Sequence, residues 1–447
     1  MEAASEAMDS EAEAEAVEVA LQSGLVALRG KNAAFMDPVR VLNAGYEAHH
    51  VRSDRYYARA FFTSTVEPVP GDADGEESRK RKRKRKVYTP NAKEAVAESR
   101  HQEVRSVILE AHEAFQKTVA PFLRKHIVFS DDDNCIASPS KSCTVPQKPT
   151  VEEGELNFVE LAALWQAPLY EISFMESIDG QFGCEEEDPG TTALFNTVFE
   201  NSSATSKAAQ CGGCKYLLPK LSKFLISDIP ELHQLIPGVS GDGFNLMVID
   251  PPWENKSVHR KALYPTLPNR YLLSLPVKQL GHTDGALVAL WITNREKLRH
   301  FAETELFPAW GVSLAAVWYW LKVTAEGTMV SPLDLAHHKP YECLLLGYLP
   351  SKGGLSSEEE NVPSLDSRGR VDLPDKYVLM SIPGDHSRKP PLKCIQCSNI
   401  TILSKYIPRQ GHGEKGLELF ARELNAGWTS WGNEPLRFQH LSYFCER

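Results

Sequence analysis

The apolar positions of this chain follow two different rhythms. From Ala92 to Ala120 they recur in steps of three and four. Val104, Val107, Ile108, Ala111, Phe115 and Val119 share one face, which predicts an amphipathic helix closed by Pro121. From Lys223 onward the rhythm changes to short apolar runs. Lys223–Ser227, Phe244–Ile249, Gly285–Asn294, Val312–Val323, Lys339–Gly347, Lys376–Ile382 and Leu417–Phe420 each predict a strand, and Arg295–Phe307 a helix. In Val312–Val323, alternation puts rings of Trp318, Tyr319 and Trp320 on both faces, so at least one belongs to the core. Strands separated by helical stretches predict an α/β fold with a doubly wound parallel sheet.

The polar stretches divide the chain. Residues 1–90 are expected to be a mostly flexible N-terminal region, with an acidic, glycine-rich linker from Gly71 to Glu77. Residues 91–210 are expected to form an α-rich accessory region. In it, Leu156–Leu161 and Leu194–Phe199 offer apolar faces, and a flexible loop covers 130–150. Residues 211–447 then form the main domain, interrupted by a disordered Gly-, Ser- and Glu-rich insertion at about 351–368.

Composition adds limits rather than a function. The chain has 447 residues, 42% of them hydrophobic, and a net charge of -10, which argues against nucleic-acid binding over the whole surface but leaves room for a local basic groove. No apolar run is long enough to span a bilayer, so no membrane association is expected. The first residues carry neither the basic flank nor the apolar core of a signal peptide, and nine cysteines fit a reducing compartment. Cys211-Gly-Gly-Cys214 and Cys394-Ile-Gln-Cys397 are spaced too far apart for a compact zinc module, so ordinary thiols and no metal are expected. The unbroken basic block Arg79–Lys86 is read as a nuclear-import signal, with RNA contact as a second role. The nucleus is therefore the expected location, with the cytoplasm left open.

One stretch carries chemistry. The run Phe244–Ile249 ends at Asp250-Pro251-Pro252-Trp253, where the prolines stop the ladder and leave a rigid shelf at the strand's carboxyl end. Ligands bind at that end of open α/β sheets. Adenine N6 is a poor nucleophile because its lone pair is delocalised into the ring. Asp250 and a Pro251 carbonyl free of competing amide donors could both accept from the NH2 group and turn its lone pair toward an electrophilic methyl group. Trp253 offers a face for stacking the base, a contact worth about 1–3 kcal/mol. After it, Asn255, Lys256, His259, Arg260 and Lys261 sit in an irregular loop suited to phosphates, with Tyr264 and Tyr271 as stacking partners for a flanking base.

Asp250–Trp253 resembles the signature of the N6-adenine methyltransferases that include the messenger-RNA adenosine methyltransferases. The longer run Val248–Val258 is most similar to that family's methyltransferase-like protein 4 branch. A second run, Leu417–Arg422 followed by Gly427–Glu434, resembles its cofactor segment. The resemblance implies a Rossmann-like S-adenosylmethionine-dependent methyltransferase sheet with a circularly permuted motif order, the signature preceding the cofactor segment. It implies catalytic roles for Asp250, Pro251, Pro252 and Trp253. It implies a cofactor site made by Asp228, Ile229, Asp250, Lys389, Glu418, Arg422, Asn425, Asn433 and Glu434, with Lys389 meeting the methionine carboxylate. Asp228 could equally cap the helix that follows it. A G-x-G-x-x-G loop is missing, which suits a methyl donor better than a dinucleotide.

The expected partner is a nucleic acid, RNA favoured over DNA, and the expected substrate an adenosine, already 2′-O-methylated, in a small nuclear RNA. A monomer is expected, with a partner subunit left open. The rival expectation is a silent RNA-binding subunit, which the intact Asp250 and Trp253 disfavour. One departure stands against full activity: the stretch between Pro391 and Leu417 is longer than the family's, and Lys393–Asn399 is poorly helical.

Overall fold

Runs that are apolar at every position must be covered on both faces, which places them in the middle of a layered sheet rather than on its surface. The computed structural model describes residues 14–58, 92–123, 158, 171–175, 192–238, 241–254, 267–335, 339–352, 372–385, 388–392, 402–408 and 413–447. Its centre is an eleven-stranded sheet. In chain order the strands are β1 (Leu25–Ala27), β2 (Ala33–Met36), β3 (Val198–Glu200), β4 (Lys223–Ile226), β5 (Leu246–Ile249) and β6 (Ala286–Ile292). They continue with β7 (Ser313–Lys322), β8 (Tyr341–Leu349), β9 (Lys376–Ser381), β10 (Gly416–Leu419) and β11 (Trp428–Gly432). Their spatial order is β1-β2-β9-β7-β8-β6-β5-β10-β11-β4-β3.

Strands β6, β5, β10, β11 and β4 are mutually parallel neighbours, as are β7, β9 and β2. The sheet is therefore α/β and mostly parallel. Three strands run the other way. The edge strands β1 and β3 are reversed, and so is β8 inside the sheet, antiparallel to both β6 and β7. The reversal of β8 departs from an all-parallel expectation. Its connection from β7 folds back through a bridge between Val323 and Met329 instead of crossing over in a helix, so an antiparallel return results.

The all-apolar reading of β5 holds because alternate side chains fill different layers. Met247 and Ile249 join one core cluster, Leu246 and Val248 the other. In β7, Trp318 and Trp320 lie on one side and Tyr319 on the opposite one, and all three are buried. From Arg295 the helical stretch runs as Glu296–Phe301, a π-turn at Ala302–Leu306, then Phe307–Trp310.

Two regions differ from expectation. Residues 14–58, grouped with a flexible terminus, fold onto the sheet: β2 pairs with β9, and Phe35 stacks on Phe115 at 5.4 Å between ring centres. The region 91–210, expected to be α-rich, contributes Thr192–Ala193, Glu171–Met175 and nearly all of Lys207–Cys211 to a four-stranded antiparallel sheet, which Cys214–Leu218 completes. The predicted helix itself is present as Ala92–Thr118 and buries Val104, Ile108, Ala111, Phe115 and, just beyond its end, Val119. Pro121 does not close it, because a further turn, Ala120–Leu123, accepts proline near its start.

Cys211 and Cys214 pair across a tight hairpin whose Gly212 and Gly213 have φ of 56° and 81°, the geometry that favours glycine there. Both thiols are buried, and burial pushes that of Cys211 up to about 11. Cys394, Cys397, the basic run 79–86, the loop 130–150 and nearly all of the insertion 351–368 lie outside the described residues. Among the described residues, no helix is long and apolar enough to cross a membrane.

Candidate active site

The chain leaves β5 toward β6 on one side, and leaves β10 toward β11 on the other. The crevice between β5 and β10 is thus a switch point, where an open α/β sheet admits a ligand. Asp250 stands at its rim, its backbone N–H bonded to the Leu419 carbonyl at 3.3 Å. The turn after it is braced three ways. The Trp253 N–H donates to the Pro251 carbonyl at 2.8 Å, the Leu267 N–H to the Pro252 carbonyl at 3.1 Å, and the Glu254 N–H to Asn269 Oδ1 at 3.1 Å.

The first of these corrects an expectation. The Pro251 carbonyl is not free of amide donors, because the tight turn closes on itself; one lone pair remains for an outside donor. Trp253 is also more deeply set than a stacking platform requires. It is 7% exposed, and its indole N–H donates to the Trp291 carbonyl at 3.0 Å.

Asp250, Lys389, Glu418, Arg422 and Asn425 line one cleft, together with Trp291, Phe420 and Trp428. Five of the residues named from sequence are therefore brought together. Asp228, Asn433 and Glu434 are not in its wall, but they follow β4 and β11 and so share the same sheet edge. Asp228 is exposed and occupies the cap position of the 3₁₀ helix Ile229–Leu235, yet its side chain makes no capping bond. Glu434 is paired with Arg437 at 2.8 Å. Asn255, Lys256, His259, Arg260, Lys261 and Tyr264 lie outside the described residues, whereas Tyr271 is described and 59% exposed.

Charge in the cleft is tightly coupled. Lys389 Nζ lies 3.2 Å from both carboxylate oxygens of Asp250 and 3.3 Å from Glu342 Oε2. Burial works against the ammonium, but those two carboxylates outweigh it and raise the Lys389 pKa. Burial likewise opposes ionisation of Glu342, yet Lys389 and Lys322 hold it down to about 2. Glu418 goes the other way: burial, then the neighbouring Glu423 and Asp250, push it up to about 8, although it accepts a 2.9 Å bond from Asn425.

Glu342 escaped the sequence reading. The only signal for it was a lone charge inside the apolar run Tyr341–Gly347. Phe420, another lining residue, adopts φ 62°, a left-handed conformation that turns the chain sharply at the carboxyl end of β10.

The site thus combines a parallel-stranded switch point, an Asp-Pro-Pro-Trp turn at its rim and a lysine held on the aspartate. The MT-A70 family model matches residues 244–434. Over 369 residues the chain is 35% identical to the mouse N(6)-adenine-specific methyltransferase METTL4, covering 79% of this chain and 69% of that protein. It is 34% identical over 254 residues to the N6-methyladenosine RNA methyltransferase MTA1 of Pyricularia oryzae, covering 54% and 60%. It is 31% identical over 269 residues to a DNA N6-methyl methyltransferase of Caenorhabditis elegans, covering 58% and 60%. The chain thus spans 69% of the mouse protein and about three fifths of the other two. The chain belongs to the MT-A70 family.

Proposed function

We propose that the chain methylates the N6 amine of adenosine in RNA, with S-adenosylmethionine as donor and a 2′-O-methylated adenosine of a small nuclear RNA as target. The observation that carries this reading is Asp250 held at the switch point, next to the remaining lone pair of the Pro251 carbonyl. Two acceptors on a proline-stiffened turn can bind both hydrogens of an exocyclic amine and fix its lone pair in an in-line direction. Orientation of this kind is a large part of what such a transfer requires.

The residues present fit the donor. Lys389 offers a cation for a carboxylate, and Glu418, Arg422 and Asn425 offer polar groups around a ribose and an amino acid. Asp228 and Ile229 after β4, with Asn433 and Glu434 after β11, extend this set along the sheet edge. When bound, the donor supplies an electrophilic methyl group. The chain's own groups bind the amine and hold Asp250 in place through Lys389, which Glu342 anchors from the other side.

Tyr271, exposed and two residues beyond the Asn269 side chain that holds Glu254, would stack a base beside the target. Trp253 stiffens the turn from beneath and presents what edge remains to the target base. The basic residues 256–261 would meet the flanking phosphates, and the basic run 79–86 would direct the chain to the nucleus. DNA adenine is the second substrate reading, favoured by the name of the nematode relative.

Labelled S-adenosylmethionine with short RNA and DNA oligonucleotides tests this, using matched adenosine and 2′-O-methyladenosine targets. Transfer is expected on the RNA, strongest on 2′-O-methyladenosine, and Asp250→Ala should lower it by on the order of 10²–10⁴ while RNA binding persists. Equal transfer by wild type and Asp250→Ala would remove the role given to Asp250. Preference for the DNA strand would choose the second substrate, and no transfer despite donor binding would favour a silent RNA-binding subunit.

A further inference from the structure

Arg388, the residue before Lys389, takes no part in the chemistry above, yet it is among the most enclosed charges in the molecule at 3% exposure. Its guanidinium carbon lies over two rings, 4.1 Å from the centre of Tyr56 and 4.2 Å from that of Phe438. At its edge it forms a two-pronged pair with Glu423, Nε to Oε2 at 2.9 Å and Nη2 to Oε1. Its backbone N–H donates to the Asp385 carbonyl at 3.0 Å. A cation packed over two rings and paired along one edge has little freedom, and the next residue in the chain is Lys389.

One wall of this box comes from far away in sequence. Tyr56 ends the single turn Ser53–Tyr56, and that turn is fixed on all sides. Arg52 N–H donates to the Tyr443 carbonyl at 2.8 Å, Tyr57 Oη to buried Asp37 at 2.6 Å, and Ala58 N–H to the Pro383 carbonyl at 3.1 Å. Gly384 makes the close approach possible, since a Cβ there would stand 2.9 Å from Arg388 Cβ and 3.1 Å from the Tyr56 ring. The other walls belong to the donor cleft itself, because Glu423 follows Arg422 and lies two residues before Asn425.

We infer that Tyr56, Arg388, Glu423 and Phe438 form a positioning box that sets Lys389 against Asp250, so that the N-terminal segment is a working part of the donor site. This rests on the donor assignment proposed above, and none of the four is assigned a chemical step.

Two substitutions at one position separate positioning from mere packing. The Tyr56 hydroxyl is buried with no hydrogen-bond partner among the described residues, so Tyr56→Phe keeps the ring and should match wild type. Tyr56→Leu keeps apolar volume but removes the aromatic face. It should raise the calorimetric Kd for S-adenosylmethionine by about fivefold to thirtyfold, the scale of one desolvated cation–π contact, and leave RNA affinity unchanged. In a Lys389→Ala background the same change should have no further effect on donor affinity.

A donor-free readout runs alongside. Trace acetylation of Lys389 with acetic anhydride, followed by mass spectrometry, should be faster in Tyr56→Leu than in wild type or Tyr56→Phe. An unchanged donor Kd in Tyr56→Leu, or an equal rise with and without Lys389, overturns the inference. If wild type binds no donor at all, the proposed function fails, and the acetylation rates alone decide the box: unequal rates uphold it, equal rates remove it.

Discussion

Glu418 shows how the cleft trades stability for charge. Burial, Glu423 and Asp250 raise its pKa from an ordinary 4.5 to about 8, so between those values the folded protein holds a proton that the unfolded chain has released. Stability therefore falls as pH rises through that window and levels off above it. Glu418→Gln removes this titration while its amide oxygen can still accept from Asn425. The variant's melting temperature should rise relative to wild type from pH 5 to pH 8, by roughly 2–5 °C at the upper end. Parallel melting curves of the two proteins across that range would instead show that Glu418 ionises normally in the fold. The opposite case, Glu342, lies on the far side of Lys389. Two cations keep it charged, which lets it hold Lys389 on Asp250 throughout the neutral range.

At the scale of elements, packing at the centre of the sheet leaves almost no slack. The ring of Trp428 on β11 covers the place where a side chain at Gly416 on β10 would begin, and the Trp428 indole N–H is tied to Glu414 at 2.7 Å. The restriction is one of space: Gly416→Ala drives a methyl group into an aromatic ring between two central strands. A loss of about 2–4 kcal/mol, in line with overpacking of a fixed core, should appear as a lower urea midpoint, and an unchanged midpoint would mean that Trp428 can swing aside. These strands were legible because a four-residue run with no polar position, such as Leu246–Ile249, has few other places to go. The direction of β8 was not, since Tyr341–Leu349 reads the same whichever way it enters the sheet, and direction depends on the connection before it. The hairpin at Gly212-Gly213 was hidden by the cysteines flanking it, which drew attention to metal chemistry rather than to the turn. In the cleft, Asp250, Lys389, Glu418, Arg422 and Asn425, all named from sequence, line one wall. Glu342, Arg388 and Tyr56 did not stand out, because their importance lies in partners distant along the chain.

For the whole molecule the decisive joint is between the N-terminal segment and the sheet. Strand β2 covers the edge of β9, with Ala33, Ala34 and Phe35 opposite Val378, Leu379 and Met380, and Phe35 closes over Phe115 of the long helix. At the other end of the segment, His49–Val51 pairs antiparallel with Phe444–Glu446, and Tyr46 accepts from the buried side chain of Gln439 at 2.8 Å. Contacts at both ends of the catalytic unit cannot belong to an appendage. Deleting residues 14–58 would expose β9 as a flat apolar edge, a surface that invites pairing with another chain, and would strip Phe115 of its cover. The deleted protein should elute as aggregate in size-exclusion chromatography and lose its cooperative melt, whereas Tyr56→Leu should remain monodisperse and melt cooperatively. That contrast divides two roles of one segment, the strands holding the sheet and the tyrosine serving the site. A deletion variant that stays monodisperse with a native melting temperature would show that the sheet from β4 to β11 is self-sufficient, and the N-terminal segment only docked upon it.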